Sequence, residues 1–74
     1  MRAAEAAVAV GLKPRMAYTV SETAAYLGIP ERTLHEEVRS GRLRSVVPRG
    51  RTRGAVIRPE DVDRWVRENS HGQD

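Results

Sequence analysis

Seven arginines and no acid occupy the stretch from Arg39 to Arg58. Within it, Arg49, Arg51 and Arg53 alternate with Gly50 and Thr52, and Gly54 follows. A guanidinium is a planar fork of five donors that fits phosphate oxygens and the O6/N7 edge of guanine, which an ammonium does not match. Glycines beside such residues let the backbone approach a partner closely. Uncompensated charges at this density repel one another, and an anionic partner relieves that cost. The chemistry indicated is recognition of a polyanion.

Other candidate groups are sparse. His35 stands alone, with no second His or carboxylate set at metal-ligand spacing, and His71 lies near the end of the chain. The absence of Cys excludes disulfides, zinc fingers and thiol chemistry. Glu60 and Asp61 are adjacent at a helix start, where capping accounts for them. No phosphate-cradling Gly loop and no Ser/His/Asp or Cys/His set is present, so no enzyme, metal or cofactor is expected.

The elements that must position the arginines belong to one small domain. The chain has 74 residues, and a domain of that size buries only about 60% of its unfolded surface. Net charge is +3, unevenly spread: residues 1–37 carry four basic and five acidic side chains, residues 38–74 nine and five. Twelve of the thirteen basic residues are Arg, the exception being Lys13. No apolar run is long enough to span a bilayer. The charges sit on a hairpin rather than on an amphipathic helix, so no membrane partner is expected. Glu5 interrupts the one apolar stretch that could act as a secretory signal, and a cytoplasmic location is expected.

Residues 1–17 read as an Ala-rich tail, or as a helix that orders only on docking, followed by a Lys13-Pro14-Arg15 linker. Thr19-Val20-Ser21-Glu22 has the form of a capping box. Val20, Ala24 and Leu27 fall on one face of the helix it opens, and Gly28 closes that helix. A second helix is predicted from Glu31 to Ser40, with Leu34 and Val38 inward and Gly41 ending it. Two short helices joined by such a turn form a helix-turn-helix. Arg44 to Pro48 and Ala55 to Arg58 read as the strands of a β-hairpin with a basic tip at residues 49–54. Pro59 opens a third helix with Val62, Trp65 and Val66 as its apolar stripe. Trp65 and Tyr26 are read as core. The predicted fold is α+β: a small winged helix-turn-helix over residues 18–69, with a disordered tail at 70–74 and a possible extra N-terminal helix.

The run from Thr19 to Leu34 resembles the helix-turn-helix opening of the excisionase and MerR-type winged-helix families. Ser40-Gly41-Arg42-Leu43 is similar to their link into the wing, and Pro59-Glu60-Asp61-Val62 with Trp65-Val66 resembles their closing helix. The resemblance spans about residues 18–67. It implies a protein that binds double-stranded attachment-site DNA, bends it, and acts beside a tyrosine or serine integrase. The same fold also implies, as an alternative, a small transcription regulator. Three positions depart from the pattern: Pro30 replaces an N-cap Ser or Asp, Glu37 stands where an apolar residue is usual, and Glu36 where a basic one is common. These acids raise a third reading, an adaptor whose acidic second helix meets a basic protein.

With Leu34 and Val38 inward, Arg32, His35, Glu36 and Arg39 lie on or near the outer face of the second helix, with Thr33 near its start, and the resemblance implies that this face meets DNA. Arg32 or Arg39 would read guanine, and Glu36 would accept from a cytosine amino group; alternatively Glu36 and Glu37 are solvated helix surface paired with Arg39 or Arg32. The wing would contribute Arg49, Gly50, Arg51, Thr52 and Arg53 to a minor groove or to phosphates. RNA is disfavoured, since no aromatic residues interleave with the arginines. One module covers little DNA, so several copies are expected on adjacent sites.

Overall fold

The computed structural model describes residues 1–47 and 54–70. Along them run α1 (Ala3–Ala9), β1 (Tyr18–Thr19), α2 (Val20–Leu27), α3 (Glu31–Ser40), β2 (Val56–Ile57) and α4 (Pro59–Glu68). The arrangement is a small α+β winged helix-turn-helix, with α2 and α3 as its paired helices.

Local chemistry sets the ends of α2 and α3. Thr19 Oγ1 accepts the Glu22 N–H at 3.0 Å, and Glu22 Oε1 accepts the Thr19 N–H at 3.0 Å. This reciprocal cap satisfies two donors that the first turn would otherwise leave open. At the other end Gly28 takes φ 75°, and its N–H and that of Ile29 both return to the Ala24 carbonyl. Gly41 closes α3 in the same left-handed region, at φ 85°. Pro30 brings no side-chain acceptor to the start of α3.

Tertiary packing assembles the core from every element. Tyr18, Val20, Ala24, Tyr26, Leu34, Leu43, Ile57 and Val62 are buried, with Thr23 beside them. Tyr18 and Tyr26 meet edge to face, with ring centroids 5.9 Å apart. Leu34, at 0% exposure, ties α3 to this centre, while Val38, Leu27, Ile29 and Trp65 cover it as partly buried residues.

Three expectations are corrected here. The strand predicted over Arg44 to Pro48 is, among the described residues, a single bridged position: Val46 exchanges two 2.8 Å hydrogen bonds with Val56. The returning strand, β2, finds its longer partner in β1, with Tyr18 opposite Ile57 and Thr19 opposite Val56. β2 is thus paired on both edges, through Val56 to Val46 on one and against β1 on the other, and the wing root is stitched to the start of the helix-turn-helix. Val66 is exposed rather than part of the α4 stripe, because the buried side of α4 turns on Val62 and Asp61. Trp65, read as core, is only partly buried: it packs against the core cluster and turns its indole N–H to Glu37 of α3.

The N-terminal segment is held in place. Ala3 and Ala7 are buried where α1 packs on α2 and α4. The Ala3 N–H donates to Asp63 Oδ1 at 2.8 Å. The Tyr18 hydroxyl donates to the Lys13 carbonyl (2.8 Å) and accepts the Arg15 N–H (3.1 Å), while the Arg15 guanidinium grips the Glu22 carboxylate. Ala side chains let the backbones of α1 and its neighbours approach closely. The docking compensates for a helix too short to persist alone in water.

Candidate nucleic-acid interface

The outer face of α3 carries Arg32, Glu36 and Arg39 at helical spacing, opposite Leu34. All three are exposed, as are Thr33 and His35 on the flanks. Among the described residues no carboxylate lies within salt-bridge distance of Arg32 or Arg39. His35 instead turns along its own helix, with Nε2 3.3 Å from Glu31 Oε2. No trio of potential metal ligands gathers among the described residues. No helix among them is long and apolar enough to cross a membrane.

Glu37 is the point where the structure departs most from a solvated acidic helix. Its carboxylate faces α4, with its side chain only 17% exposed. It accepts Nε and Nη2 of Arg42 at 3.0 and 2.8 Å, and the Trp65 indole N–H at 2.9 Å. Pairing with Arg39 or Arg32 does not occur, since Glu37 lies on the flank beside the core and those arginines point away from it. Glu37 therefore replaces an apolar contact by a charge-assisted clasp joining α3, the connection after Gly41, and α4. The residue spacing of this clasp is not helical, so periodicity could not reveal it. The one sequence signal was an acid standing where the resembling families place an apolar side chain, with Arg42 just beyond the turn.

The Arg42 guanidinium, and then the Trp65 indole, hold the Glu37 carboxyl at about 2, well below its ordinary 4.5. A carboxylate whose folded value is depressed stabilises the fold above its unfolded value, and the contribution fades as pH falls toward the folded one. Melting curves recorded from about pH 5 down to about pH 2 should therefore show a steeper loss for the parent protein than for Glu37→Gln. Parallel losses would remove Glu37 from this role.

A second arginine of the basic stretch is likewise taken up internally. Arg58 places Nε and Nη2 on the two oxygens of Asp61 at 2.9 and 3.2 Å and lies 3.5 Å from Glu60. Asp61 is buried, so its task is to anchor Arg58 as well as to favour the helix start. The run of seven is thus not uniformly free: Arg42 and Arg58 are neutralised within the molecule. Arg39 and Arg44 remain exposed without a carboxylate partner among the described residues. The wing residues Arg49, Gly50, Arg51, Thr52 and Arg53 lie outside the described residues.

Comparison with known proteins agrees with this geometry. Residues 17–70 match the family model described as a helix-turn-helix domain. No curated protein and no solved structure matches the chain. The matched segment takes in α2, α3, β2 and α4, and with them every described residue of the exposed α3 stripe. With the capped helix pair, the bridged wing root and most of its length inside that match, the chain belongs to the helix-turn-helix domain family, a family of small DNA-binding domains.

Proposed function

We propose that this protein is an excisionase, a recombination directionality factor that binds and bends attachment-site duplex DNA beside a tyrosine or serine integrase and so favours excision. The observation that carries the reading is the exposed Arg32–Glu36–Arg39 stripe, backed by Leu34 and steadied by the Glu37 clasp. In the major groove Arg32 or Arg39 takes guanine O6/N7 and Glu36 accepts from a cytosine amino group. Thr33 and His35 flank them toward phosphates or base edges. Arg49, Arg51 and Arg53, with Gly50 and Thr52 between them, follow a narrow minor groove or its phosphates.

Residues 18–69 act as the DNA-binding unit, and one such module covers only about 600–1,000 Å². Several copies on adjacent sites make up the deficit, with residues 1–17 or 70–74 available for contacts to a neighbour or to the integrase. The adaptor reading is weakened, since Glu37 is turned to Arg42 and Glu31 is beside His35, leaving Glu36 as the acid on the outer stripe.

Gel-shift titration and footprinting on an attachment region test the proposal. Several direct, closely spaced protected sites, with excision raised in a reconstituted integrase reaction, are the expected result. A single protected operator at a promoter, with no effect on excision, would transfer the protein to the regulators. With about six phosphates contacted, log affinity should fall against log salt with a slope of about −5.

A further inference from the structure

We infer that the groove between the C-terminal turn of α3, the connection after Gly41 and α4 is a second DNA-backbone site, in which Arg44 and Arg64 hold a phosphate. The inference rests on α3 being the helix that enters the major groove. The groove encloses about 430 Å³, and its charged lining is Arg42, Arg44, Asp61, Arg64 and Glu68.

Two of those five charges are already spoken for within the protein. Arg42 is clasped by Glu37, and Asp61 by Arg58. Each engaged pair leaves little net charge behind. Arg44 and Arg64 are exposed and meet no carboxylate within salt-bridge distance among the described residues, so they set the sign of the groove against Glu68 alone. Trp65 forms a wall whose indole N–H is committed to Glu37. The site is therefore a concavity walled in part by committed ion pairs, with two exposed cations in its lining.

Its place in the fold selects the ligand. Val38 and Gly41 line it, so it lies at the C-terminal end of α3. A helix in the major groove, about 12 Å wide, is flanked by the two phosphate backbones. Side chains just off the helix end meet one of them. Contacts of this kind fix register and orientation without reading sequence. A free anion would meet two cations and the opposing Glu68, whereas a duplex held by α3 presents its phosphate at high local concentration.

The test is fluorescence titration of a short mixed-sequence duplex across a range of salt. The double variant Arg44→Gln/Arg64→Gln should bind roughly tenfold more weakly, with the log–log salt slope reduced in magnitude by about two. Preference for a selected site over a scrambled one should not change. Glu68→Gln should bind about two- to threefold more tightly by removing a charge that repels phosphate. Arg67→Gln, on the same helix but lining only the neighbouring groove against α1, which Arg64 also borders, controls for loss of charge as such and should leave the slope unaltered.

A double variant that keeps the parental slope, or loses no more than Arg67→Gln, would reject the groove while a loss of preference in Arg32→Ala/Arg39→Ala still upheld α3. Displacement of the duplex by inorganic phosphate at fixed ionic strength, abolished in the double variant, would reassign the site to a free anion. Failure of the parent protein to bind any duplex would remove both readings together. Circular dichroism melts confirm that each variant is folded, as expected for exposed side chains.

Discussion

Arg32→Ala/Arg39→Ala should lose most of the protein's ability to tell one duplex sequence from another while still folding. A well-placed bidentate pair to a base edge provides about 1–3 kcal/mol of discrimination. Loss of one such pair reduces the ratio of selected-site to scrambled-site affinity by at least about fivefold, and loss of two by at least about thirtyfold. Both side chains are exposed, so the fold loses only a small helix-dipole contribution from Arg39 in the last turn. Selecting sites from random duplexes with the parent protein, then titrating both proteins on the winners and on scrambled controls, measures the ratio. An unchanged ratio would place base reading elsewhere. Glu36→Gln refines the picture: relaxed preference confined to one C·G position identifies its cytosine partner, whereas a uniform gain on all duplexes marks it as a repulsive surface acid.

Leu34→Ala should act by the opposite route, through the fold rather than the contacts. Leu34 is fully buried between α3 and the shared core. Truncations of this kind cost about 2–5 kcal/mol, the larger values where the cavity does not collapse. Small domains sit near the low end of a total stability of about 5–15 kcal/mol. The variant should therefore be substantially unfolded at moderate temperature, with helical dichroism and DNA binding lost in parallel. Denaturant titration at low temperature gives the number. A cost below about 1 kcal/mol would mean that α3 is held mainly by its ends and by the Glu37 clasp. The two variants separate recognition from support on one ten-residue helix.

The helices were legible because their determinants are local. Thr19 and Glu22 sit three residues apart on the chain and meet in the structure, and Gly28 and Gly41 adopt the left-handed angles that end α2 and α3. Pro59 likewise opens α4. The strands were much less so. β1 is two residues long and shows no periodicity of its own. It exists because Ile57 and Val56 return from nearly forty residues away to pair with it. The Val46 bridge is similarly short, and its extent is decided by which edge of β2 is free rather than by residue type.

The candidate site divides along the same line. Residue type and helical spacing alone determined that Arg32, Glu36 and Arg39 share a solvent face, because an α-helix repeats by geometry that any sequence must obey. The arginine-rich stretch and its anionic complement were also contained in the chain's composition. Which of those arginines stay available was decided only in three dimensions. Glu37 met Arg42 across a turn and Trp65 from α4, Asp61 drew in Arg58, and Arg44 and Arg64 came to line one groove. Charge counts add along a chain without regard to distance, whereas the attraction between charges depends on separation and burial, which only the folded arrangement supplies.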